Sequence, residues 1–120
     1  MDARVLIVDD HAAFRSVARR VLVADGFAVI GEAADAAAGL RAARDLRPDL
    51  VLLDIQLPDG DGFAVAAELA AEPHPPAVVL VSSRSRSDYG TRVGDSSALG
   101  FIAKSDISGD AVRLLLAGAS

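Results

Sequence analysis

Apolar and polar positions alternate along this chain in two patterns. Short runs of β-branched and aliphatic residues read as fully buried strands: "ARVLIV", "FAVIGEA", "DLVLLD", "AVVLVSS" and "GFIAK". Between them, apolar residues recur at helical spacing. Phe14, Val17, Ala18, Val21 and Leu22 mark a first helix, stopped by Asp25-Gly26. "DAAAGLRAARDL" is a second, with Asp35 as N-cap and Pro48 beyond its end. "FAVAAELAAE" is a third, ended by "PHPP", and "DAVRLLLAGA" is the last. The stretch between the fourth and fifth strands, "RSRSDYGTRVGDSSAL", is poor in apolar residues and carries two glycines. Each Gly costs about 1 kcal/mol in a helix interior, so the helix expected between Asp88 and Ala98 is short, frayed or displaced. Strands alternating with helices predict an α/β protein: right-handed βαβ units, a parallel sheet and helices on both faces.

Bulk properties narrow the classes. One domain over residues 1–120 is the expectation, since 120 residues with 52% hydrophobic content sustain one core. No apolar run is long enough to span a bilayer, and no basic-then-apolar leader opens the chain. A cytoplasmic protein without membrane contact is therefore expected. With no cysteine, disulfides and thiolate zinc sites are excluded. A net charge of −5 leaves no basic footprint for nucleic acid.

In open parallel sheets, ligands bind outside the carboxyl ends of the strands. Those ends carry Asp9 and Asp10, Asp54, Ser82 and Ser83, and Lys104. Three carboxylates in one pocket repel unless a cation joins them. Mg²⁺ fits such a set, because it takes oxygen ligands and keeps waters and phosphate oxygens in its shell. An Asp carboxylate can then serve as nucleophile in phosphoryl transfer. Lys104 is the one lysine among twelve basic residues, a compact ammonium where a small anion is to be held.

Each residue has a plainer reading. The Asp9–Asp10 pair resembles an N-cap for the following helix. "LPDGDG" reads as a turn for Asp59 and Asp61. A serine ending a strand is ordinarily a cap, and a lysine there is ordinarily solvated. His11 and His74 read as surface residues, with no third ligand at metal spacing. The plain readings fail jointly: four separate strand ends carry groups that one chemistry needs.

Asp9-Asp10, Asp54 followed by "IQLPDGDG", Ser82 and "GFIAK" together resemble the receiver domain of bacterial two-component response regulators. The spacings agree: 44 positions from Asp10 to Asp54 and 22 from Ser82 to Lys104. The resemblance covers essentially the whole chain. It implies a doubly wound, flavodoxin-like (βα)5 fold with a five-stranded parallel sheet of order 2-1-3-4-5. It implies Asp54 as phosphoacceptor and Asp10 and Asp54 as direct Mg²⁺ ligands. Asp9 would act through a bound water, and Gln56 would lend a backbone carbonyl. Lys104 would pair with the phosphoryl oxygens, Ser82 would be the switch hydroxyl and Phe101 the aromatic that moves with it. The implied partner is a sensor histidine kinase, and the helix 4–strand 5–helix 5 face is a possible homodimer surface. The implied activity is a phosphorylation-dependent switch, not an enzyme beyond its own phosphorylation and autodephosphorylation.

Ser105 stands where many members have proline. A cis bond there would cost about 3 kcal/mol, against under 1 before proline, so a trans or strained loop is expected. The resemblance runs to a subgroup often fused to a helix-turn-helix DNA-binding domain. The same residues bear on three other readings. An Asp-nucleophile phosphatase ordinarily needs a second acid two residues on, where Gln56 stands. A pseudo-receiver that no longer takes phosphate would not need the complete acid, hydroxyl and lysine set. A nucleotide-binding domain is disfavoured, since no Gly-rich loop follows the first strand.

Overall fold

The computed structural model describes residues 2–118. Its strands are β1 (Arg4–Val8), β2 (Ala28–Ala33), β3 (Leu50–Asp54), a small β4–β5 hairpin (Gln56–Leu57, Gly60–Asp61), β6 (Ala77–Ser82) and β7 (Gly100–Ala103). The helices are α1 (Ala12–Ala24), α2 (Ala36–Leu46), α3 (Gly62–Ala70), α4 (Arg92–Asp95) and α5 (Gly109–Gly118). Strands β2-β1-β3-β6-β7 form one parallel sheet. The antiparallel β4–β5 pair stands apart, so this is the 2-1-3-4-5 order in the sheet's own count.

The period of two along each strand divides the core. Leu6, Val8, Val51, Leu53, Val78 and Leu80 face α2 and α3. Val5, Ile7, Leu50, Leu52, Val79 and Val81 face α1 and α5. All twelve are buried, each worth roughly 1.5–3 kcal/mol against exposure. Two-sided burial explains why the strands read as continuous apolar runs.

Helix ends are fixed by side chains. Asp35 accepts from Ala38 N at 2.7 Å, as the N-cap rule predicts. Asp59, in the turn after β3, accepts from Ala36 N and Ala37 N at 2.7 and 3.0 Å. Those two amides hold its carboxyl below the usual carboxylate range. Asp61 caps α3 through Ala64 N. The turn expected around "LPDGDG" is present, and its acids also start two helices. The weak segment is as expected: a 3₁₀ turn at Arg86–Tyr89, then one helical turn. Among the described residues every peptide bond is trans, that before Ser105 included.

Candidate functional site

Strand register puts the chemistry on one edge. Val8 of β1 pairs with Leu53 of β3, so Asp9 and Asp54 are the next residues on adjacent strands. Asp54 pairs with Val81, which places Ser82 one step further on β6. Ser82 pairs with Ala103, and Lys104 follows. The pleat and register alone therefore gather four strand ends.

Asp9 and Asp54 are both buried. Lys104 Nζ lies 2.7 Å from Asp9 Oδ2 and 3.4 Å from Asp54 Oδ2. One ammonium thus faces two buried carboxylates. Its position is held by Phe14 of α1, whose ring centroid is 4.8 Å from Nζ. Burial pushes the Asp54 carboxyl up to about 6, Asp9 adds to the rise, and Lys104 opposes it. Gln56 N donates to Asp54 Oδ1 at 3.2 Å, which orients the carboxylate.

Asp10 stands on the rim. Oxygens of Asp9, Asp10 and Asp54 and a nitrogen of His11 all lie within 4.8 Å of one another. His11 is on the surface, as expected, but the reading that no ligand set accompanies it is corrected. Its side chain is 65% exposed, yet Nδ1 lies 3.2 Å from Asp9 Oδ1 and 3.1 Å from Asp10 Oδ1. The pair of acids preceding it is the sequence signal that could have found it.

The donor set fits a hard divalent cation. Three carboxylates converge with one ammonium to balance them. Asp9 Oδ2 is also buried without a hydrogen bond; its 2.7 Å contact with Lys104 is an ion pair outside hydrogen-bond angles. A buried oxygen so placed has a lone pair left for a cation or its water.

Ser82 is buried, and its hydroxyl points to a residue the sequence reading missed. Ser82 Oγ lies 2.6 Å from Tyr89 OH and accepts from Arg84 N at 3.0 Å. The Tyr89 ring meets Phe101 at 6.2 Å and Phe63 at 5.8 Å between centroids. Phe101 is half-buried at this cluster. The structure thus brings Lys104 onto Asp9 and Asp54, sets Asp10 beside those two acids, and links Ser82 to Phe101 through Tyr89. The faint signal for Tyr89 was that it is the one tyrosine of the chain.

Comparison with known proteins shows the family. The sequence model of the response regulator receiver domain matches residues 5–114. The chain belongs to this family. It is 35% identical over 101 residues to the transcriptional regulatory protein PdtaR of Mycobacterium tuberculosis, covering 84% of this chain and 49% of that protein. It is 44% identical over 107 residues to a protein-glutamate methylesterase/protein-glutamine glutaminase of Anaeromyxobacter dehalogenans, covering 88% of this chain and 30% of that one. A LuxR-family two-component response regulator from Aurantimonas superposes with a TM-score of 0.87 at 29% identity, over 98% of this chain and 87% of that one. The chain spans about half the length of the transcriptional regulators it matches. It is thus a receiver domain of two-component signalling, and none of its described helices is long and apolar enough to cross a membrane.

Proposed function

We propose that this receiver domain takes a phosphoryl group on Asp54 from the phosphohistidine of a sensor kinase. An Asp54 oxygen attacks phosphorus, the P–N bond breaks, and its electron pair stays on the imidazole nitrogen. The observation that carries this reading is Lys104 Nζ shared between buried Asp9 and Asp54. That ammonium stands where the charge of a phosphoryl group on Asp54 would grow. Asp9, Asp10, Asp54 and the Gln56 carbonyl are assigned to Mg²⁺, which when bound supplies positive charge against the phosphoryl oxygens. Gln56 N–H fixes the Asp54 rotamer, and burial keeps water off the acyl phosphate.

Ser82 then turns its hydroxyl to a phosphoryl oxygen, and Phe101 follows into the space released. The change biases a two-state equilibrium rather than driving catalytic turnover. The α4–β7–α5 face is its output and the surface for a second copy. Leu114 on α5, 75% exposed, offers such a copy an apolar contact. The chain works in the cytoplasm, where the kinase domain lies, and leaves nucleic acid to other domains.

Acetyl phosphate with Mg²⁺ should label wild type one-to-one and fail on Asp54→Asn. Steady multiple turnover would favour a phosphatase instead. A folded protein unlabelled by any donor would be a pseudo-receiver.

A further inference from the structure

The switch hydroxyl is already engaged. Ser82 Oγ sits 2.6 Å from Tyr89 OH and takes a second bond from Arg84 N. A serine hydroxyl has one proton and two lone pairs. Two partners on the side of the 84–89 segment hold that oxygen back from any group arriving on Asp54. Ser82 is buried and Tyr89 half-buried, so water competes only in part for the bond between them.

Tyr89 joins the sheet edge to the elements around it. It closes the 3₁₀ turn, which is pinned by Ser85 N donating to Asp88 Oδ2 at 3.1 Å and by Asp88 N donating to Ser85 O at 3.1 Å. Gly90 follows at φ +58, a left-handed exit that frees the chain from the turn. The ring packs edge-on against Phe63 of α3 and tilted against Phe101 of β7. Arg92 of α4 stacks on the same Phe63, 4.3 Å from its centroid, and pairs with Asp61 at 3.6 Å. A single hydroxyl-to-hydroxyl bond therefore joins the phosphorylation edge to α3, α4 and β7 together.

We propose that Tyr89 is a positioning residue that latches Ser82 in the unphosphorylated arrangement. The proposal rests on the reading of Asp54 as phosphoacceptor and of Ser82 as the hydroxyl that meets the phosphoryl group. With Ser82 Oγ–H donating to the Tyr89 hydroxyl oxygen, a phosphoryl oxygen, which only accepts, competes with Tyr89 for that one proton, so its capture of Ser82 releases the phenol and lets the aromatic cluster repack. Tyr89 thus sets how much of the phosphoryl group's binding free energy is spent on opening the switch. Phe101 reports the release only through its contact with the Tyr89 ring.

The test uses beryllofluoride, an acyl-phosphate mimic, with Mg²⁺ on the intact chain. The chain has one tyrosine and no tryptophan, so its intrinsic fluorescence reads Tyr89 alone. Wild type should show a saturable change in tyrosine emission, absent in Asp54→Asn. Tyr89→Phe keeps the ring and removes the bond. Titrated by isothermal calorimetry, it should bind the mimic about threefold to tenfold more tightly than wild type, the scale of one neutral hydrogen bond. In a Ser82→Ala background the same substitution should change affinity less than twofold, which separates the bond from any general loosening. Unchanged or weaker binding by folded Tyr89→Phe, with wild type binding normally, overturns the latch alone. Tyrosine emission that stays flat while calorimetry shows wild type binding does the same. Wild type that binds no mimic overturns the phosphoacceptor reading, and the latch with it.

Discussion

At Asp54, burial of a single carboxyl sets a pH-dependent cost in stability. Its carboxyl titrates near 6 in the fold, against 3.8 for an unperturbed Asp. The folded state therefore holds the proton more tightly than the unfolded chain. Its stabilising contribution is complete below about pH 4 and is lost as the pH rises through about 6. At neutral pH the ionised, buried Asp54 is a net cost of up to about 3 kcal/mol. Asp54→Asn removes that charge at nearly constant shape, at the expense of one partner for Lys104. We expect it to raise stability in metal-free buffer at pH 7.5 by about 1–3 kcal/mol, with the gain shrinking toward pH 4. Urea midpoints across that range check this; an Asn variant less stable at pH 7.5 would refute it. The acids and Lys104 were legible in the sequence because strand ends are predictable and the parallel sheet gathers them. His11 and Tyr89 were not. Their placement comes from a rotamer beside Asp10 and from a 3₁₀ turn, neither of which leaves a periodic trace.

At the scale of elements, the loop after β3 does most to place Asp54. Gly62 opens α3 directly beneath it: a Cβ there would lie 2.5 Å from Asp54 O and 2.9 Å from Ile55 Cα. Those are backbone atoms and cannot step aside cheaply. Gly62→Ala should destabilise the fold by roughly 1–3 kcal/mol and slow acetyl phosphate labelling severalfold, because Asp54 shifts with its own carbonyl. A variant with wild-type labelling rate and urea midpoint would show the contact relieved elsewhere. Asp59 does a different job, bonding the first two amides of α2 from 23 and 22 residues away. Asp59→Ala should speed amide hydrogen exchange at Ala36 and Ala37 while leaving α3 unchanged. The strands and the four longer helices were readable because burial repeats at two and near 3.6 residues. The Asp59 bridge was not, since a turn-forming Asp and a cap supplied from a distance have the same local sequence.

For the whole molecule, the cores on the sheet's two faces are unequal partners of the weak 83–99 segment. The sheet strands β1, β3 and β6 are buried from end to end apart from Arg4 and Ala77. Between Ser83 and Leu99 only Val93 is buried, and α4 is a single turn. Local opening free energy follows buried apolar contact, so this segment should open without unfolding the sheet. Native-state hydrogen exchange in metal-free buffer should find amides of 86–95 exchanging at least tenfold faster than those of β3. Val93→Ala should speed that segment further and leave β3 protection almost unchanged, because the methyls lost are the segment's own anchor. Addition of Mg²⁺ and beryllofluoride should alter protection at 86–95 more than anywhere else, the sheet being already closed. Uniform protection across 86–95 and β3, or a sheet that loosens together with Val93→Ala, would mean one cooperative unit and no separable output element. The energetic reason to expect separation is that a switch must move something the fold can spare. In this chain, the residues given little apolar surface to bury are the ones that join Ser82 to α4.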